Sequence, residues 1–225
     1  MVHNARKSQS SIVALVPAAG MGTKLGLGPK AFLPIGGRNL LRKVVHILSH
    51  CVTRILVGVP YDYLEKARDE LRGLAEIFPG GMSRQETVSI LLNQCTEQIV
   101  LIHDVVRPFV SRSLLEKVID AGRECGAAVP CIAIHVPVAV VEDGLITGSM
   151  ARSRIRLTQS PQAYRRDILV QAYTRAREAG LETQTTWELV VHAGIPVRSV
   201  MGEERNIKVT TPFDWEIATK VLEPK

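Results

Sequence analysis

Aromatic residues make up only 4% of this 225-residue chain, so its core must be built from Val, Ile, Leu and Ala, a composition that suits buried parallel strands. The same scarcity, with no basic helix, argues against a nucleic-acid-binding module, which needs stacking platforms or a cationic stripe. Long apolar runs are missing too: Ile12-Val13-Ala14-Leu15-Val16 is far too short for a membrane span or a signal-peptide core. Residues 1–11 are polar and are expected to form a flexible N-terminal tail, followed by one domain over 12–225 in a cytoplasmic setting without membrane attachment. Cys51, Cys95, Cys125 and Cys131 form no CxxC pair, which argues against a zinc site or disulfide framework and fits a reducing compartment. Neither GxxxxGK[ST] nor GxGxxG occurs, so the P-loop and dinucleotide-binding readings are poor.

What is present alternates. Strand-like runs at Ile12–Val16, Arg54–Val59, Gln98–Ile102 and 127–134 are separated by stretches with three- and four-residue apolar spacing, at Leu40–Ser49, Tyr63–Leu74 and Leu114–Glu124. This predicts an α/β fold in which right-handed βαβ units build a mostly parallel sheet flanked by helices. Further helices are expected over 167–179 and 212–222, with a late strand at 197–200. The stretch 136–159 differs: Glu142-Asp143-Gly144 is a turn signal between two β-branched runs. It reads as a β-arm projecting from the sheet, and such an arm without a core of its own calls for a partner chain, hence a homodimer.

Twenty-eight Lys and Arg outnumber 22 Asp and Glu, giving a net charge of +6, and the placement of the cations decides what that means. After the first strand, Ala18-Ala19-Gly20-Met21-Gly22 lets backbone N–H groups approach an anion closely. Lys24 and Lys30 follow, and they supply the charge that a triphosphate needs. Asp104 and Arg107 follow the third strand, where ligands of open parallel sheets bind; Arg107 either serves the site or pairs with Asp104 to order the loop. A glycine-hinged loop, Gly80-Gly81-Met82-Ser83, runs into a helix and can present backbone groups and Thr87 to a base edge. Lys208 lies in an extended stretch, Asn206-Ile207-Lys208-Val209.

The ordered set AAGMGTKL, PKAFLPIGG, GGMSRQETV, HDVVRPF, SPQAY and NIKVTTPFD resembles the cytidylyltransferases of the methylerythritol phosphate pathway and their relatives that activate ribitol phosphate. The resemblance runs from about Ile12 to Leu222. It implies a Rossmann-like fold that binds CTP with Mg2+, a small phosphorylated or phosphonylated co-substrate whose oxygen attacks the α-phosphorus, and pyrophosphate as leaving group. Ala18, Ala19, Gly20 and Gly22 match the family's triphosphate loop, and Lys24 stands where it usually has arginine. Lys30 and Lys208 match its catalytic lysines; Gly81 and Thr87 match its cytosine-recognising positions. Asp104 matches a residue near the ribose and acceptor, and Arg152 the arginine that a partner's arm sends into the site. No protein ligand to the metal is implied, magnesium being carried mainly by triphosphate and water.

Departures fall on the acceptor side. The family's Asp-Thr pair at the start of the arm is replaced by Ile134-His135-Val136-Pro137-Val138, and its acidic run before the last helix reads Gln184-Thr185-Thr186-Trp187-Glu188. Proline offers no side-chain hydrogen bond, so 2-C-methyl-D-erythritol 4-phosphate is expected to be used less well here than by typical members. CMP transfer to ribitol 5-phosphate or a phosphonate, and a non-catalytic nucleotide-binding regulator, stand as the other readings.

Overall fold

A computed structural model describes residues 11–22, 26 and 28–222. The expected N-terminal tail therefore lies almost wholly outside the described residues. From β1 (Ile12–Pro17) the chain passes through a short hairpin, β2 (Pro34–Ile35) and β3 (Arg38–Asn39), into α1 (Leu40–Leu48). Asn39 starts that helix by accepting from the Arg42 N–H at 2.8 Å, satisfying one of the donors a helix start leaves open. Next come β4 (Arg54–Val59), α2 (Leu64–Leu71), β5 (Glu76–Pro79), α3 (Arg84–Leu92), β6 (Ile99–Ile102) and α4 (Arg112–Cys125). The second half contains β7 (Ala127–Ala133), β8 (Val138–Glu142), β9 (Leu145–Met150), β10 (Arg156–Thr158) and β11 (Gln162–Arg165). It closes with α5 (Arg166–Glu178), α6 (Thr186–His192), β12 (Arg198–Met201) and α7 (Pro212–Leu222).

The main sheet runs β10-β7-β11-β6-β1-β4-β5, with β12 also on β7. The block β6-β1-β4-β5 is parallel throughout, as the alternating pattern predicts. Strand β1 is buried on both faces: Ile12, Ala14 and Val16 belong to a core shared with α1, α2 and α4, while Val13 and Leu15 face a second core shared with α3, α5 and α6. That two-sided burial is why the strand reads as a continuous apolar run without alternation.

Two features depart from the expected pattern. Strand β11 lies antiparallel between β6 and β7, so the sheet is mixed at its centre. Strand β10 pairs with β7, so the chain is back in the main sheet by Arg156 and the hairpin itself is β8-β9. That hairpin forms a separate two-stranded sheet, with Val141, Leu145 and Ile146 at 59%, 70% and 76% exposure. Among the described residues no helix is long and apolar enough to cross a membrane.

Candidate active site

Because β1, β4, β5 and β6 run in one direction, the loops after β1, β5 and β6 emerge at the same carboxyl edge. They enclose a cavity of about 270 Å³. Its lining brings together Ala18, Ala19, Gly20, Gly22, Lys30, Gly81, Thr87, Asp104 and Lys208, residues drawn from five separate segments of sequence. Lys24 lies outside the described residues. Arg152 does not line this cavity; it sits in a short 3-10 turn after β9 and donates to the His135 carbonyl at 2.9 Å.

Glycine is required where the loops come closest. Gly22 holds φ +68°, and a Cβ there would stand 2.2 Å from the Gly28 carbonyl oxygen and 3.1 Å from the Lys30 Cγ. A Cβ on Gly80 would meet the Ala19 Cβ at 2.4 Å, so the loop after β5 can approach the loop after β1 only with glycine at that position. The N–H groups of Gly80, Gly81 and Met82 are all taken, by Val59 O at 2.8 Å, Thr87 Oγ1 at 3.1 Å and Glu86 Oε2 at 2.7 Å. Thr87 is buried and its hydroxyl donates to Ser83 O at 2.9 Å, so its side chain shapes the loop.

Lys30 opens a 3-10 turn whose Phe32 ring stacks on Tyr63 at 5.1 Å, with the Lys66 ammonium 5.0 Å over Phe32. That stack fixes the turn, and the Lys30 Nζ reaches the carbonyl oxygens of Thr210 at 3.2 Å and Val209 at 3.4 Å. The segment carrying Lys208 joins no ladder and is tied to the loop after β6 by Val209 N to Val106 O at 2.9 Å.

Asp104 faces two cations, Arg84 at 3.0 Å and Lys208 at 3.4 Å. Burial alone would raise its carboxyl, but Arg84 and Lys208 outweigh burial and hold it well below the usual carboxylate range. Arg84 also lines the cavity, although in the sequence it stands out only as the first residue of a helix. The Arg107 guanidinium does not pair with the Asp104 carboxylate, one of the two roles open to it, although its backbone N–H donates to the Asp104 carbonyl at 3.1 Å. Buried, the guanidinium donates to the carbonyls of Asn206 at 2.6 Å and Thr158 at 3.3 Å, bracing the loop after β6 against the chain leading to Lys208.

The model of the 2-C-methyl-D-erythritol 4-phosphate cytidylyltransferase family matches residues 12–224 of this chain. The chain belongs to that family. It is 38% identical over 208 residues to the 2-C-methyl-D-erythritol 4-phosphate cytidylyltransferase of Thermus thermophilus, covering 92% of this chain and 95% of the relative. A protein of that name from Deinococcus radiodurans is 37% identical over 215 residues, covering 94% and 89%. The crystal structure of the Thermus thermophilus enzyme superposes with a TM-score of 0.80 at 34% identity, covering 95% of this chain and 98% of that one. The 4-diphosphocytidyl-2C-methyl-D-erythritol synthase of Anaerococcus prevotii gives 0.83 at 25% identity over the same shares.

In this member of the cytidylyltransferase family, the loop bearing Asp104 rests on a buried histidine. His103 Nε2 lies 3.0 Å from the Arg107 carbonyl and so carries the ring proton; Nδ1 accepts from the Ser160 hydroxyl at 3.2 Å. Ser160 Oγ in turn accepts the Asp104 N–H at 3.0 Å. Burial drives the His103 pKa down to about 4. A folded-state pKa below the unfolded value of about 6.5 means that the unfolded chain binds the extra proton first, so stability falls as pH drops from about 6.5 toward 4. Urea unfolding at pH 7 and pH 5 should show a loss of about 2 kcal/mol that His103→Gln abolishes. An equal loss in the variant would remove His103 as the cause.

Proposed function

We propose that this chain transfers CMP from CTP to 2-C-methyl-D-erythritol 4-phosphate with release of pyrophosphate. Family membership supports the reaction, and the convergence of Lys30, Asp104 and Lys208 with the glycine-bearing loops on one cavity supports the site. An acceptor phosphate oxygen attacks the α-phosphorus, the bond to the bridging oxygen breaks, and pyrophosphate carries away the electron pair. A phosphate monoester, with its second pKa at about 6, is already ionised at neutral pH and needs no general base. The cavity matches that requirement: Asp104, its carboxylate, is held far below the usual range and is a poor base. Lys30 and Lys208 stabilise the charge that builds at the attacked phosphorus. The backbone of Gly20 and Gly22 cradles the triphosphate, as an anion nest does.

Cytosine selection fits the loop after β5. With the Gly80, Gly81 and Met82 N–H groups occupied, the loop's carbonyl oxygens are suited to accept from an exocyclic amino group and to repel the keto oxygen of uracil. Among the described residues no group of three or more His, Cys, Asp or Glu could hold a metal, and Asp104 is engaged by two cations. With the Asp104 carboxylate so engaged, magnesium is proposed to enter as part of the substrate, on the triphosphate. Calorimetry should show CTP binding weakened at least tenfold by chelator, with UTP and ATP weaker than CTP. Equal affinity in chelator would sink the metal claim, and tighter ATP binding the cytosine claim.

The acceptor pocket is proposed to be completed by a second copy of the chain. Arg152 lies outside its own cavity, on the segment that follows the apolar, exposed hairpin. Pro137, which stands near the family's threonine position, is likewise not part of the cavity lining in its own chain, so the effect of the missing hydroxyl would fall on the neighbour's pocket.

A further inference from the structure

Arg84 occupies the first position of α3, where the partial positive charge of a helix start disfavours a cation. Its guanidinium nevertheless turns inward. Nε and Nη2 both point to Asp104 Oδ1 at 3.0 Å, and Nη1 donates to Thr186 Oγ1 at 3.1 Å. With Oδ1 saturated by this fork, Asp104 presents Oδ2 to the Lys208 ammonium at 3.4 Å. Thr186 is 1% exposed and opens α6, and the turn before it is pinned by Glu188 Oε2, which accepts the Gln184 and Thr185 N–H groups at 3.1 and 3.0 Å.

We propose that Thr186 and Arg84 form a positioning relay that sets the rotation of the Asp104 carboxylate and, through it, the resting place of the Lys208 ammonium at the acceptor phosphate. The relay rests on the role given to Lys208 under the proposed function. Each link is directional. A lysine in place of Arg84 could neutralise Asp104, but its three donors sit on one freely rotating nitrogen and cannot hold the carboxylate and the threonine hydroxyl in the fixed, spread geometry of the planar guanidinium fork. Lys208 itself is half exposed, and an exposed ion pair alone holds a side chain only loosely. A carboxylate clamped from behind gives that ammonium a defined partner. Thr186 is the far end of the chain: without its hydroxyl, Nη1 loses its acceptor and the fork is free to turn away from Oδ1.

Thr186→Val should lower kcat about tenfold while the KM for CTP stays within about twofold, and Thr186→Ser should recover most of the rate. In a Lys208→Ala background, Thr186→Val should cost nothing further, because the relay has lost its target. A second readout does not depend on turnover. With lysines reductively methylated using 13C-formaldehyde, the Lys208 signal, assigned by its loss in Lys208→Arg, should move in Thr186→Val and hold its position in Thr186→Ser. If Thr186→Val does not fold, Arg84→Lys is used and should move the same signal. An unmoved Lys208 signal, a serine variant as impaired as the valine one, or an undiminished Thr186 effect without Lys208 would overturn the relay. Failure of the wild type to turn over CTP with any acceptor would instead count against the proposed function, and the Lys208 signal would still judge the relay.

Discussion

Alanine at Lys30 or at Lys208 is expected to lower kcat by about two to three orders of magnitude each, with the unfolding free energy changed by less than about 1 kcal/mol. The asymmetry follows from where the two ammonium groups sit. Lys30 reaches backbone carbonyls of Val209 and Thr210, and Lys208 meets Asp104 with half of its side chain in solvent while Arg84 continues to neutralise that carboxylate, so neither removal leaves a buried charge unpaired. Removing an exposed pair member typically costs a fraction of a kcal/mol. In the proposed reaction the same groups face charge that builds at the attacked phosphorus, where a preorganised cation is worth about 3 to 4 kcal/mol. Turnover at saturating substrates, read beside urea denaturation, tests both halves. A folded variant with near-wild-type kcat would remove that lysine from the catalytic role.

Mixing inactive subunits should restore activity. If Arg152 serves the neighbouring cavity, a heterodimer of Lys30→Ala with Arg152→Ala chains contains one site with both lesions and one with neither. Random exchange of equal amounts then returns about one quarter of all sites to wild-type function, against residual activity in either parent alone. If Arg152 acted within its own chain, every site in the mixture would carry a lesion and nothing would be regained. Exchange itself is verified by mass-tagged subunits. Absence of recovery despite proven exchange contradicts the shared site. The hairpin supplies a physical reason for pairing, since Val141, Leu145 and Ile146 stand well exposed on a two-stranded sheet that has no layer of its own to bury them.

The parallel half of the fold was legible because β1, β4 and β6 are buried on both faces and so appear as short, continuous apolar runs rich in β-branched residues. Strand β11 was not: Gln162-Ala163-Tyr164-Arg165 is short and mixes polar with apolar residues, and its place is set by partners on both sides. The same holds for β5, four residues that pair only with β4. At the site, Asp104 drew attention by following a strand end, whereas Lys30 and Lys208 stood out through motifs that resemble those of the cytidylyltransferase family. Arg84 and Thr186 escaped notice because each begins a helix, where charged and hydroxyl residues are commonplace; only the tertiary contact between α3, α6 and the loop after β6 marks them out. Arg107 went the other way. Its neighbour in sequence, Asp104, suggested an ion pair, yet burial beside the Asn206 and Thr158 carbonyls gave the guanidinium better-placed acceptors.

The central claim is that this cavity joins CMP to 2-C-methyl-D-erythritol 4-phosphate, and the most direct test is pyrophosphate release from CTP with that acceptor beside ribitol 5-phosphate and a panel of phosphonates. The account predicts a kcat/KM of about 10⁴ M⁻¹s⁻¹ or higher for 2-C-methyl-D-erythritol 4-phosphate, at least tenfold above every other acceptor. A higher value for ribitol 5-phosphate or a phosphonate, or no release with any of them, would contradict it.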